Sequence, residues 1–247
     1  MRSPVRPLAA ATSFLTAIPV ARRVAFDERD LANGAVLFPV VGAFVGAISA
    51  TVAWASSLVL PPFVAGILGV ASVVAATAAF HVDGLGDVAD AIGASLTGRS
   101  PLEVMRDPRL GTFGVAAVSL DLVLKAALLA ELVAGERYPW AAIGAAAIAR
   151  VAPILLAWRL PYAGGGTGVW MSGLGRSRVG AASVIGIAIA IATSGVAAAW
   201  MAGGVIVVCL GLGRWSRVRL GGVTGDVFGS SAELTEALAL VAAVALA

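Results

Sequence analysis

The chain has 247 residues, a mean hydropathy of +0.96 and a formal net charge of +3, with 60% apolar and 13% charged residues. That balance excludes a soluble domain of ordinary composition, and with no basic tract long enough for a nucleic-acid footprint no nucleic-acid partner is expected. Apolar runs recur from end to end, which predicts an all-α, polytopic membrane helical bundle forming one domain over 1–247.

Residues 1–20 carry Pro4, Pro7 and Pro19 and are too broken for an ordinary span, so this segment is expected at the interface or re-entering the bundle. Arg22 and Arg23 stand where small cleavage-site residues would be needed, so no cleaved signal is expected. A first span is predicted over 33–60, kinked at Pro39, with Gly42 and Gly46 allowing close helix contact. A second follows over 63–80, then a polar, Asp-rich segment over 81–109. Further spans are predicted over 111–134 and 138–158, the second followed by a Gly-rich loop. The apolar run 179–212 is too long for one span of about 20 residues and is divided near Trp200–Gly204. A loop over 214–225 precedes the last span, 226–247, which makes about seven transmembrane helices. Cys209, the single cysteine, falls inside an apolar run and is read as an inert buried thiol.

Cation placement orients the bundle. With sides numbered alternately, side one receives Arg2, Arg6, Arg22, Arg23, Arg29, Arg99, Arg106, Arg109, Arg159, Arg176, Arg178, Arg214, Arg217 and Arg219, and side two receives Arg137 alone. Fourteen against one places side one, with the N-terminus, in the cytoplasm, and the C-terminus outside.

The chemistry collects on that side. Asp83, Asp87 and Asp90 are spaced i, i+4 and i+7, a stripe along one helix face whose charges repel unless something positive lies between them. A divalent cation, Mg²⁺ shared with substrate phosphates, answers that need, whereas a solvated acidic helix is the plainer reading. The turn holding Arg106, Asp107 and Arg109 and the Gly-rich run Gly221-Gly222-Val223-Thr224-Gly225-Asp226, followed by Glu233, reach the same face. A glycine-rich helix start favours anions. Taken singly, Thr224 and Asp226 could be plain helix caps, and Arg106 and Arg109 plain membrane anchors. Together they predict a cytoplasmic-side pyrophosphate site: metal ligands Asp83, Asp87, Asp90 and Asp226, with Asp83 or Asp226 as base, and substrate contacts from Arg106, Asp107, Arg109, Thr224, Gly225 and Glu233.

Asp121, Lys125 and Arg150 fall near mid-bilayer and must face the interior. They form either a structural pair, Asp121 with Lys125 or Arg150, or the floor of a polar cavity in which Lys125 or Arg150 contacts a substrate phosphate. His81 is read as an interfacial polar residue, with titration near neutral pH or metal ligation as the alternative. Trp54, Trp140, Trp158, Trp170, Trp200 and Trp215 are expected in interfacial belts.

Phe14-Leu15-Thr16-Ala17-Ile18-Pro19-Val20 and Phe38-Pro39-Val40-Val41-Gly42 resemble the opening of the cobalamin synthases. His81-Val82-Asp83-Gly84-Leu85-Gly86-Asp87-Val88-Ala89-Asp90 and Met105-Arg106-Asp107-Pro108-Arg109-Leu110-Gly111-Thr112 resemble that family's central motifs. Ala149-Arg150-Val151-Ala152-Pro153 with Leu160-Pro161-Tyr162-Ala163, and Gly222-Val223-Thr224-Gly225-Asp226-Val227-Phe228-Gly229 with Glu233, are similar to its later ones. The resemblance implies a multi-pass enzyme of the cell (inner) membrane that uses Mg²⁺ to join adenosylcobinamide-GDP to α-ribazole, or its 5′-phosphate, with release of GMP. It leaves room for a homo-oligomer or a complex with other cobalamin-assembly enzymes.

Two other readings compete. CDP-alcohol phosphotransferases place an Ala-Arg pair after Asp-Gly, where this chain has Leu85-Gly86-Asp87, and ubiquinone-type prenyltransferases carry a second Asp-rich motif where this chain has Thr224-Gly225-Asp226. A transporter would suit Gly-interrupted spans and mid-membrane charges, but no internal repeat accompanies them.

Overall fold

A computed structural model describes residues 5–20, 24–135, 139–163 and 168–246. Arg2, Pro4, Arg22, Arg23, Arg137, Tyr138 and Ala247, which entered the expectations above, lie outside the described residues. The chain is an all-α membrane bundle. Helices α1 (Val5–Leu15) and α2 (Glu28–Gly34) pack against each other, and a 3₁₀ turn, Ala35–Leu37, leads into α3 (Phe38–Ser57). Then come α4 (Pro62–Thr77), α5 (Phe80–Leu96), the short α6 (Pro101–Val104) and α7 (Thr112–Ala134). Helices α8 (Ala141–Ala149) and α9 (Val151–Arg159), a 3₁₀ turn at Val169–Gly173, α10 (Arg176–Ser194), α11 (Ala197–Leu220) and α12 (Gly225–Ala245) complete the order.

Six stretches among the described residues are long and apolar enough to cross a membrane, and α4 with α5 passes the same test only as a pair. The last two are bent by 94° at Ala78 and Ala79, consecutive non-glycine residues with φ of 50° and 59°. Helix α5 therefore leaves the line of α4 and does not continue it as a straight span. Small residues set the helix spacing. A β-carbon on Gly42 would strike the Ala146 carbonyl, and one on Gly66 the Ala126 carbonyl, so α3 meets α8 and α4 meets α7 backbone to backbone.

Several boundaries differ from expectation. The long apolar run breaks at Gly195, not near Trp200–Gly204: Gly195 takes φ +54°, ψ −126°, open only to glycine, while Gly204 stays helical against Leu238 of α12. The loop expected over 214–225 is largely helix, because α11 continues to Leu220 and carries Arg217 and Arg219 in its last turn, where the helix dipole favours cations. Pro39 produces no kink inside a helix but follows the 3₁₀ turn, at the second position of α3. The fourth span is interrupted at Arg150, where Pro153 has no N–H for the Ala149 carbonyl. Other expectations hold: the Asp-rich stripe lies on a helix, α5, and α1 buries Ala9, Ala10, Ala11 and Leu15 against the bundle, the second of the two placements expected for residues 1–20.

Candidate active site

The ends of the helices on the arginine-rich side surround a cavity of about 490 Å³. Two close approaches build it. Gly84 of α5 lies against the backbone of Asp226, where a β-carbon would come within 2.9 Å of the Asp226 Cα. Farther along, the 161–163 segment after α9 pairs with the Gly-rich loop before α12: Ala163 N–H donates to the Val223 carbonyl at 2.8 Å and Val223 N–H to the Pro161 carbonyl at 2.9 Å. Gly222 touches the Pro161 carbonyl and leaves no room for a side chain. Thr224 then caps α12, its hydroxyl accepting from Val227 N–H at 3.3 Å, which presents Asp226 in the first turn.

Of the residues singled out in the sequence, Asp83, Arg106, Thr224, Gly225 and Asp226 line this cavity. Asp87 is half-buried one turn beyond Asp83. Burial first, and then the charges of Asp226, Asp83 and Asp90, push the Asp87 carboxyl up to about 7. A cation held nearby would relieve the charge on Asp87. Among the described residues, no three His, Cys, Asp or Glu side chains are grouped so as to hold a metal by themselves. Mg²⁺ makes no such demand, since it binds through one or two carboxylates and completes its shell with water and phosphate oxygens. Asp83 and Asp226, on two helices in backbone contact and both on the cavity wall, fit that donor set.

Other candidates are placed elsewhere. Asp90 accepts from Gly111 N–H at 2.6 Å and Gly114 N–H at 2.8 Å, so both its oxygens cap α7, a task that the i, i+4, i+7 stripe does not reveal. Asp107 and Arg109 pair with each other at 2.8 Å in a neighbouring open groove, and Arg109 holds the Asp107 carboxyl down at about 2. Lys125, Arg150 and Glu233 do not line the cavity. Lys125 bonds Glu233 and lies 3.0 Å from Asp121, and Arg150 bonds Glu236, all buried beneath the site. The cross-helix pairing of Asp121 with Arg150 is therefore replaced by Lys125 with Asp121 and Glu233, and by Arg150 with Glu236. Glu236 escaped the sequence reading, although a second acid three residues after Glu233 in an apolar helix was its signal.

His81 is 4% exposed and lines the cavity, and Gly229 packs on its backbone. Burial, followed by the charge of Arg150, pushes its imidazole down to about 3, so it is neutral at ordinary pH and does not titrate near neutrality. Tyr162, not anticipated as a site residue, lines the cavity with its hydroxyl against Gly168 and Gly225; burial and the Asp226 charge raise its pKa and keep it protonated. Phe14, Phe38 and Phe80 supply the apolar lining. Trp170, expected in a belt, instead packs edge-on against Phe14 at 5.2 Å, whereas Trp54 and Trp140 do pair, 6.5 Å apart, near span ends.

Comparison with known proteins covers nearly the whole chain. The sequence model of the cobalamin-5-phosphate synthase family matches residues 7–244. The adenosylcobinamide-GDP ribazoletransferase of Leptothrix cholodnii is 36% identical, over 92% of this chain and 90% of that protein. The proteins of the same name from Klebsiella pneumoniae (strain 342) and Roseiflexus sp. (strain RS-1) are 35% and 34% identical, each over 96% of this chain and over 99% and 88% of their own lengths. No solved structure matches. A family match of this extent, running through both elements that meet at Gly84 and Asp226, establishes that the chain belongs to the cobalamin-5-phosphate synthase family.

Proposed function

We propose that this chain is a Mg²⁺-dependent adenosylcobinamide-GDP ribazoletransferase, joining adenosylcobinamide-GDP to α-ribazole or its 5′-phosphate with release of GMP. The single observation that carries the reading is the backbone contact of Gly84 with Asp226, which brings Asp83 and Asp226 to one cavity beside Arg106. In the reaction, a ribose hydroxyl oxygen of ribazole forms a bond to the phosphorus nearer the cobinamide, and the bond from that phosphorus to the GMP oxygen breaks. The hydroxyl proton passes to a carboxylate, Asp83 or Asp226. Arg106 offers paired donors to the departing phosphate, and Thr224 and Gly225 stand at the start of α12, where a helix favours anions. When bound, Mg²⁺ supplies neutralisation of the diphosphate charge.

A cavity of about 490 Å³ suits a drug-sized ligand. Adenosylcobinamide-GDP is larger, so the corrin stays outside while the diphosphate enters. The site opens on the arginine-rich side, which the positive-inside bias assigns to the cytoplasmic face of the cell membrane. Membership of the cobalamin-5-phosphate synthase family weighs against a CDP-alcohol phosphotransferase or a transporter. The test is GMP release from purified protein in liposomes given both substrates: release with Mg²⁺ that a chelator abolishes supports the reading, and intact protein that releases none overturns it.

A further inference from the structure

The cavity lining combines the polar residues Asp83, Arg106, Thr224 and Asp226 with an aromatic wall of Phe14, Phe38 and Phe80, joined by Met171, from three helices and a 3₁₀ turn. Tyr162 and Phe228 form a second aromatic pair, 6.1 Å apart, in the same lining. The rings brace each other. Phe14 stacks on Phe38 at 5.7 Å and meets Phe80 edge-on at 5.9 Å, and Trp170 abuts both Phe14 and Phe38 from behind. Phe80 is nonetheless 44% exposed and follows directly on the left-handed pair Ala78 and Ala79, which aims α5 across the mouth of the bundle. The imidazole of His81, which also lines this cavity, stands edge-on to Phe80 at 5.4 Å, and its Nδ1 has no partner.

A ribazoletransferase must place two flat bases. Guanine carries donors and acceptors around its edge, and each one buried without a partner costs about 1–3 kcal/mol. The benzimidazole of ribazole is apolar apart from one free ring nitrogen. An aromatic wall with an unpartnered imidazole nitrogen beside it matches the second base and not the first.

Resting on the ribazoletransferase reading, we propose that Phe14 and Phe80 form the seat of the benzimidazole ring, with His81 donating to its free ring nitrogen, so that this wall selects the acceptor nucleoside and leaves guanine outside. Phe80 and Phe14 are specificity-determining residues, and His81 contacts the base.

The experiment measures KM for each substrate separately. In Phe80→Ala, the KM for α-ribazole rises about tenfold while that for adenosylcobinamide-GDP stays within about twofold, as expected for loss of one base–aromatic contact. A rise confined to adenosylcobinamide-GDP, or an equal rise in both, overturns the seat. Should Phe80→Ala not fold, Phe80→Leu keeps the apolar volume, and the wild-type protein offers a second readout. Titration with free 5,6-dimethylbenzimidazole changes tryptophan emission through Trp170, and the change disappears in Trp170→Phe. Competition by α-ribazole is expected, and displacement by GMP contradicts the assignment. Wild-type protein that turns over with the wrong KM pattern sinks only the base seat, whereas wild-type protein that releases no GMP sinks the reading beneath it.

Discussion

Gly84 and Asp226 are in backbone contact: a β-carbon on Gly84 would stand 2.7 Å from the Asp226 carbonyl oxygen and 2.9 Å from its Cα. The two residues lie 142 positions apart in a chain of 247, and their contact is what turns separate Asp-rich and Thr-Gly-Asp motifs into one site. Because the obstacle is backbone and not the end of a flexible side chain, Gly84→Ala has to push α5 away from α12. Overpacking of this kind costs about 1–3 kcal/mol. Gly84→Ala is therefore expected to lower the melting temperature in detergent and to reduce turnover more than substrate affinity. Alanine at Gly180, which lies inside α10 with open space around it, serves as the control: turnover stays unchanged and the melting temperature does not fall.

Metal affinity should depend on pH through Asp87. Its carboxyl is pushed up to about 7 by burial, first, and by Asp226, Asp83 and Asp90. A raised carboxyl pKa means that the folded protein without metal holds a proton there below about pH 7, and that its stability falls as pH rises from the ordinary carboxylate range through 7. Bound Mg²⁺ reverses the preference, so binding releases the proton and weakens on acidification. The apparent Mg²⁺ dissociation constant, read from GMP release at saturating substrates, is expected to climb below pH 7 by up to about tenfold per pH unit and to level off above it. Asp87→Asn should flatten that slope.

Asp90 separates structure from chemistry. Its two oxygens accept from Gly111 and Gly114 N–H at the start of α7, so Asp90→Ala is expected to cost about 0.5–2 kcal/mol of stability, as lost caps do. Above about pH 7, where Asp87 is ionised in both proteins, the Mg²⁺ concentration giving half-maximal rate should stay close to wild type. A large shift in that concentration with stability unchanged would return Asp90 to the metal ligands.

The buried ion pairs beneath the cavity make a different prediction. Lys125 bonds Glu233 and Asp121 where no water competes. Removing one partner strands the other, at about 3–5 kcal/mol, whereas removing both is far milder. Lys125→Met should fail to accumulate or melt early, and adding Glu233→Met and Asp121→Leu, so that no member of the group is left without its partner, should recover much of the loss. Recovered protein with near-normal KM values would show that these groups support the site without contacting substrate.

Much of this was legible in the sequence. Spans follow from apolar runs, and the arginine asymmetry put Asp83, Arg106 and Asp226 on one side before any contact was known. The roles of particular residues were less legible. A helical stripe says which carboxylates share a face, but not that Asp90 would reach across to N–H groups more than 20 positions away. Gly195 and Gly204 look alike in sequence, yet one needs its freedom for a turn and the other its small size for packing on Leu238. The aromatic wall draws Phe14, Phe38 and Phe80 from three helices, and no local pattern links them. Glu236, the partner of Arg150, is fixed by packing between α12 and the break after α8.

The most direct measurement is single-turnover GMP release by Asp83→Asn and Asp226→Asn protein in liposomes, beside wild type, across a range of Mg²⁺ concentrations. Both substitutions keep shape while removing charge, so protein yield and melting temperature should stay near wild type. Release should fall by at least about a hundredfold in each, the scale on which general acid–base groups contribute. Wild-type rates in either variant, at unchanged Mg²⁺ dependence, would contradict a site built from Asp83 and Asp226 across the Gly84 contact.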